Sequence, residues 1–76
     1  MINVALLGFG RIGQMHAQNI YLNKTLNLLY VYEKIDKLRK KAKNLYNCKI
    51  ENDYKKIFSD EKVDIIFISS PTNTHI

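Results

Sequence analysis

Short apolar runs alternate along the chain with stretches in which apolar residues recur every three or four positions. Three runs, residues 2–7, 26–32 and 63–69, predict strands. The first is expected to be buried on both faces of a sheet, and the last is the clearest buried strand in the sequence. Helical spacing predicts a helix from Arg11 to about Leu22 and a second one in the middle of the chain. The pattern therefore begins strand, helix, strand, helix.

The second helix is predicted from an apolar stripe at spacings of three, four and three, and Asn47 is expected to end it. The stripe consists of Ile35, Leu38, Ala42 and Leu45. Lys49 and Ile50 then predict a short third strand. Asn52 or Asp53 is expected to cap a short helix. That helix would direct three side chains inward, those of Tyr54, Ile57 and Phe58.

Alternation of strands and helices indicates parallel strands joined by right-handed crossovers, with helices on both faces of the sheet. The predicted fold class is α/β, a partial doubly wound parallel sheet with strand order 3-2-1-4. At 76 residues the chain is short for a domain. We therefore interpret residues 1–76 as one structural unit or part of one.

The net charge of +5 could suggest a nucleic-acid partner. Many of the positive charges, however, lie in residues 34–43 between apolar positions, as on the solvated face of an amphipathic helix, and we expect no nucleic-acid partner. The single cysteine, Cys48, excludes an intrachain disulfide and a cysteine-cluster metal site. Neither a signal peptide nor a bilayer-spanning run is present, which favours a cytoplasmic protein without a membrane partner.

The first strand is followed by the glycine pattern GxGxxG, at the point where a helix begins. Its residues are Gly8, Phe9, Gly10, Arg11, Ile12 and Gly13. In a dinucleotide site the first glycine permits the tight turn, the second lets a pyrophosphate approach the backbone, and the third lets helix and strand pack closely. The N–H groups at the helix start would receive the phosphates. Arg11 would either contact the pyrophosphate or point into solvent.

An acid at the end of the second strand is the other requirement of such a site, because it accepts hydrogen bonds from the adenosine ribose. Glu33 stands there, 20 positions after Gly13, and it predicts NAD in preference to NADP; a surface glutamate is the alternative. Lys34 beside it could soften that preference. His16 shares a helix face with Gly13, and we expect a structural, internally hydrogen-bonded histidine rather than a catalytic one.

Together these segments resemble the Gfo/Idh/MocA oxidoreductases. The resemblance is carried by Gly-Phe-Gly-Arg-Ile-Gly-Gln-Met-His-Ala at residues 8–17, Val-Tyr-Glu at 31–33 and Val-Asp-Ile-Ile-Phe-Ile-Ser-Ser-Pro-Thr-Asn-Thr-His at 63–75. It spans essentially the whole chain and looks most like the inositol 2-dehydrogenase branch. It implies that residues 1–76 are the N-terminal part of a dinucleotide-binding Rossmann domain, truncated before its remaining strands and without the substrate domain. It also implies hydride transfer between NAD and a polyol or sugar, by a full-length protein that forms a homo-oligomer.

The resemblance also implies that the loop after the last strand flanks the dinucleotide, through Ser69, Pro71, Thr72 and His75. An ordinary polar turn is the alternative for residues 72–74, and the start of a further helix is the alternative for His75. The family's Glu-Lys-Pro motif is absent, so no catalytic residue is assigned and the 76 residues alone are expected to be inactive. A non-catalytic NAD-sensing module is the competing function, and a methyltransferase is disfavoured by Ile12.

Overall fold

The computed structural model describes residues 1–69, which form a parallel sheet with helices on both of its faces. Four strands and three helices alternate in the order that the sequence predicts. They are β1 (Ile2–Leu7), α1 (Arg11–Leu22), β2 (Leu26–Tyr32), α2 (Asp36–Tyr46), β3 (Lys49–Glu51), α3 (Tyr54–Phe58) and β4 (Ile65–Ile68).

The strands lie in the order β3-β2-β1-β4, and every adjacent pair is parallel. The predicted topology is therefore confirmed. The pairing of β1 with β2 shifts between Val4 and Ala5, where Leu29 is the extra residue on β2. Because all four strands run the same way, their carboxyl ends meet along one edge of the sheet.

Two hydrophobic clusters fill the spaces between the sheet and its helices. The first packs α1 and α2 on one face of the sheet through Ala17, Ile20 and Ala42, and it also contains the buried thiol of Cys48. Burial raises the pKa of that thiol above its ordinary value, so Cys48 behaves as a packed apolar side chain. The second cluster packs Ile57 of α3 on the opposite face.

The second helix ends at Asn47 as predicted, with the backbone of that residue in the left-handed conformation at φ 51°. Its apolar stripe was predicted only in part. Ile35 and Leu45 are more than half exposed, whereas Tyr46 packs against the core. The buried face follows a spacing of four, from Leu38 through Ala42 to Tyr46, because this brings the Tyr46 ring edge-on to buried Phe9.

Asp53 is the cap of α3, since its side chain accepts a hydrogen bond from the Lys55 N–H at 3.0 Å. Of the three side chains predicted to point inward, only Ile57 is buried. The predictions for Tyr54 and Phe58 are wrong: both rings are about half exposed, and they pack against each other on the outside of this one-turn helix. A helix of five residues presents too little surface to bury three large side chains.

The fourth strand forms where the sequence predicts it, but it is not buried on both faces. All four of its residues are exposed, from 39% for Ile66 and Phe67 to 67% for Ile68. The reason is its position, since within residues 1–69 it pairs with β1 alone and lies at the edge of the sheet. The apolar composition of β4 is therefore that of an interior strand, while its surroundings are those of an edge.

A buried tyrosine links the sheet to the segment after α3. The Tyr30 hydroxyl donates a hydrogen bond of 2.5 Å to the Asp60 carboxylate. This bond and burial raise the pKa of Tyr30 from 10.0 to about 12, and the same bond lowers the pKa of Asp60. The folded chain thus holds the phenolic proton more tightly than the unfolded chain does, and it holds the Asp60 proton more weakly.

Replacing Tyr30 by phenylalanine is expected to lower Tm by a few degrees at neutral pH, because the hydrogen bond is lost. The Tyr30 contribution to stability is complete below its unfolded pKa of 10.0 and is lost as pH rises toward the folded value of about 12. The difference in Tm between wild type and Tyr30→Phe should therefore shrink with increasing alkalinity. Thermal melts across this range test it, with the exposed Tyr21→Phe as the matched control; a constant difference would contradict it.

No helix in the described part of the chain has the length and apolar character needed to cross a membrane.

Candidate functional site

The carboxyl ends of β1, β2 and β4 meet at a cleft of about 620 Å³. Three segments border it: the turn at residues 8–13 after β1, the residues after β2 that begin with Glu33, and Ser69 after β4. These are segments that the sequence singled out as a binding site. The topology brings them together because the crossover helices place the ends of parallel strands side by side.

Gly8 makes the turn out of β1 with a φ of +108°, a conformation that side chains rarely adopt. Its N–H donates to the Tyr32 carbonyl at 2.8 Å, which ties the turn to the end of β2. A Cβ atom on Gly8 would lie 2.2 Å from the Ser69 carbonyl oxygen. Glycine is therefore required here by both backbone conformation and space.

Gly13 lies in the first turns of α1 and lets that helix pack directly on the preceding turn. A Cβ on Gly13 would lie 2.2 Å from the Gly8 carbonyl oxygen, whereas a Cβ on Gly10 would meet no atom within 4 Å. The two glycines are therefore needed for different reasons. Gly13 is fixed by internal packing, while Gly10 leaves open space on the cleft side of the backbone.

The start of α1 faces the cleft, and its first backbone N–H groups carry a partial positive charge. The first backbone hydrogen bond of the helix runs from the Gln14 N–H to the Gly10 carbonyl, so the preceding N–H groups have no partner within the helix. No acidic side chain stands in the first turn and no side chain caps it. The exposed side chains of Arg11 and Ile12 border the cleft here. Such a helix start favours an anionic group.

The Glu33 carboxylate is held in place by backbone donors on two sides. Its Oε1 accepts from the Phe9 N–H at 2.8 Å and its Oε2 accepts from the Ile35 N–H at 3.1 Å. A carboxylate has about four acceptor positions, so each oxygen keeps one beyond these two bonds, and Glu33 borders the cleft. Glu33 therefore presents a pair of acceptors at a fixed place beside the glycine turn.

The remaining predicted residues occupy distinct positions. The Phe9 side chain is fully buried in the core, and its contribution at the turn is the N–H that binds Glu33. Ser69 is buried at the cleft, and its hydroxyl has no hydrogen-bond partner among residues 1–69. The predictions for Pro71, Thr72 and His75 lie outside the residues that the structure describes.

His16 faces the sheet, as predicted. Its ring lies 4.7 Å from that of Phe67, centroid to centroid, at a tilt of 48°. The predicted internal hydrogen bond is not found within residues 1–69, where a ring contact takes its place. Lys34 is exposed and borders the cleft.

Sequence reasoning missed Arg39, which binds the segment that carries Glu33. Its guanidinium donates to the carbonyls of Glu33 and Lys34 at 2.7 and 2.9 Å and to the Asp36 carboxylate at 3.0 Å. The pKa of Asp36 is lowered by its hydrogen bonds to Lys40, above all, and to Arg39. A single arginine on a helix whose other cations are lysines was the available signal.

These groups fit a dinucleotide. The cleft contains an open helix start for a pyrophosphate, a glycine without steric obstruction at Gly10, and the acceptor pair of Glu33 for a vicinal diol. The buried Ser69 hydroxyl supplies a further polar atom at the cleft.

A parallel β-α-β sheet with this glycine turn and an acid after the second strand defines the class of Rossmann-fold dinucleotide-binding domains. A comparison with protein families gives the same class and a narrower group. The family model described as an oxidoreductase family with an NAD-binding Rossmann fold, GFO_IDH_MocA, matches residues 2–76, and the chain belongs to this family.

Individual relatives agree with the family assignment. The myo-inositol 2-dehydrogenase of Thermotoga maritima is 32% identical over 97% of this chain. The crystal structure of a myo-inositol dehydrogenase from Corynebacterium glutamicum superposes on 93% of the chain with a TM-score of 0.85 and 28% identity. The scyllo-inositol dehydrogenase of Lactobacillus casei, solved with NAD(H) and scyllo-inositol, superposes on 93% with a TM-score of 0.85 and 25% identity.

The match covers only the corresponding part of each relative. The chain spans 22% of the Thermotoga maritima protein, 21% of the Corynebacterium glutamicum chain and 22% of the Lactobacillus casei chain. The similarity therefore concerns the nucleotide-binding part of these proteins.

Proposed function

We propose that residues 1–76 are the N-terminal part of the NAD-binding domain of a dehydrogenase that acts on an inositol-like polyol or a sugar. The observation that carries the proposal is the Glu33 carboxylate, fixed by the Phe9 N–H beside the open glycine turn. The names of the relatives support the substrate class.

We assign a different part of the cofactor to each region of the cleft. Glu33 would accept hydrogen bonds from the two hydroxyls of the adenosine ribose, and its charge would disfavour a 2′-phosphate, so NAD is the proposed cofactor rather than NADP. The α1 start with Arg11 and Ile12 would receive the pyrophosphate, and Gly10 leaves room for it. Ser69, Pro71, Thr72 and His75 would lie toward the other half of the cofactor.

In this proposal residues 1–69 bind and orient the cofactor, and none of them is assigned the proton transfer. NAD, when bound, accepts a hydride from a hydroxyl-bearing carbon. The proton of that hydroxyl needs an acceptor within hydrogen-bond reach, and the His16 ring is instead packed against Phe67. The acceptor is therefore proposed to lie in a part of a longer protein, which also fits the exposed apolar strand β4.

The test is an assay of the protein expressed from the complete reading frame, with NAD and either myo-inositol, scyllo-inositol or glucose. We expect a continuing frame that encodes Glu-Lys-Pro, and NADH formation that depends on the polyol and is faster with NAD than with NADP. The 76-residue chain alone is expected to form no NADH. Binding of NAD without turnover on any polyol would contradict the dehydrogenase and favour an NAD-sensing module.

A further inference from the structure

The segment between β2 and α2 is tied down by one side chain that does not face the cofactor cleft. Arg39 Nη1 donates to the carbonyls of Glu33 and Lys34 at 2.7 and 2.9 Å, and Nη2 donates to Asp36 Oδ1 at 3.0 Å. The side chain of Arg39 is only 14% exposed, while that of Asp36 is 64% exposed. The guanidinium therefore spans the whole turn from the end of the strand to the first residue of the helix.

This arrangement fixes the backbone of Glu33 on both sides of its Cα atom. The Glu33 N–H donates to the Glu51 carbonyl of β3 at 3.1 Å, and the Glu33 carbonyl accepts from Arg39. The carboxylate is then directed to the N–H groups of Phe9 and Ile35. Without Arg39, the two carbonyls that follow β2 lose their donor, and the peptides on which the Glu33 side chain depends become free to rotate.

Arg39 is not itself a ligand for a phosphate. Its N–H groups are already directed at three acceptors within the turn, and its side chain is largely covered. The exposed cation beside Glu33 is Lys34, which has no such anchoring within residues 1–69. Arg39 can therefore act on the nucleotide site only through the position of Glu33.

We infer that Arg39 is a positioning residue that holds the Glu33 carboxylate in register with the glycine turn, and so sets the affinity for the adenosine ribose. The inference rests on the proposed nucleotide site and deepens it. Lysine cannot replace the arginine fully, because one ammonium cannot reproduce the planar fork that reaches two carbonyls and a carboxylate together.

The experiment measures the Kd of adenosine diphosphoribose, the cofactor without its nicotinamide, by calorimetry on the complete protein. Four forms make a double-mutant cycle: wild type, Arg39→Ala, Glu33→Ala and the double variant. We expect Arg39→Ala to weaken binding about tenfold in the wild-type background and less than twofold when Glu33 is already alanine. The exposed Lys41→Ala on the same helix is the control and should leave Kd unchanged.

A second readout separates positioning from a general loss of structure. KM for NAD should rise in Arg39→Ala while kcat stays within about twofold, because the reacting groups lie elsewhere. If Arg39→Ala does not fold, Arg39→Lys carries the test and should raise Kd about threefold in the wild-type background and leave it unchanged when Glu33 is already alanine. A thermal melt of each variant identifies that case.

The outcomes distinguish this inference from the proposed function. Failure of the wild-type protein to bind adenosine diphosphoribose overturns both. Wild-type binding that weakens in Glu33→Ala but not in Arg39→Ala or Arg39→Lys overturns the positioning role alone. Equal losses from Arg39→Ala in the two backgrounds also overturn it, since they show an effect that does not pass through Glu33.

Discussion

Replacement of Gly8 by alanine is expected to leave little or no folded protein. The new Cβ would lie 2.2 Å from the Ser69 carbonyl oxygen, and the residue would have to keep a φ of +108°. Overpacking alone costs about 1–3 kcal/mol, and the backbone conformation adds to this cost. A total of about 3 kcal/mol or more is a large part of the stability of a small domain. The measurement is the soluble yield, followed by urea unfolding of whatever is recovered.

Alanine at Gly13 should be nearly as harmful, because its Cβ would lie 2.2 Å from the Gly8 carbonyl oxygen. Gly10→Ala is the matched control for both, since its Cβ would meet no atom within 4 Å. Gly10→Ala should therefore fold with a free energy of unfolding within about 1 kcal/mol of wild type. Its affinity for NAD should nevertheless fall, because the added methyl group occupies space at the cleft that the pyrophosphate needs.

Of the three glycines in the motif, Gly8 and Gly13 are thus expected to be needed for folding, and Gly10 for binding the cofactor. Folded, stable Gly8→Ala protein would contradict the packing described at the turn. A Gly10→Ala variant with unchanged NAD affinity would contradict the assignment of the pyrophosphate to that side of the backbone.

Glu33→Ala is expected to weaken NAD binding about 100-fold, which corresponds to about 2.7 kcal/mol. The carboxylate would make two hydrogen bonds with the ribose hydroxyls, and a hydrogen bond to a charged group contributes about 1.5–3 kcal/mol net of the exchange with water, so a loss of about 2.7 kcal/mol is a conservative expectation. The substitution also leaves the N–H groups of Phe9 and Ile35 without their acceptor. Calorimetric titration with NAD measures the effect.

The same variant should lose its preference for NAD over NADP, because the negative charge that opposes the 2′-phosphate is gone while Lys34 remains beside the cleft. Glu61→Ala removes an exposed carboxylate of equal charge outside the cleft and serves as the control. A Glu33→Ala protein that binds NAD within about threefold of wild type would rule out the ribose role.

The fold could be predicted from the sequence because its signals are local. Apolar runs of strand length, helical spacing between them and the glycine turn after Leu7 gave the topology, and Asn47 and Asp53 ended and capped helices as expected. The candidate site could be predicted in outline for the same reason, since parallel strands bring their carboxyl ends together.

The wrong predictions concern which residues are covered by a neighbouring part of the fold. Hydrophobic periodicity does not show where those neighbours lie. Phe67 and Ile68 have the composition of an interior strand but lie at the sheet edge within residues 1–69. Leu45 and Tyr46 are both apolar enough to be buried, and Tyr46 is the one that packs inward because Phe9 and Tyr21 lie on its side of the helix. Arg39 was missed because the two partners that tie it to the Glu33 segment are backbone carbonyls, and no residue type in the sequence marks a carbonyl that needs a donor.

The most direct test of the central claim is a crystal structure of the complete protein with NAD. We expect both hydroxyls of the adenosine ribose within hydrogen-bond distance of the Glu33 carboxylate, and the pyrophosphate against the backbone N–H groups at the start of α1 beside Gly10. A cofactor whose ribose lies away from Glu33, or whose phosphates contact a different helix, would contradict the account.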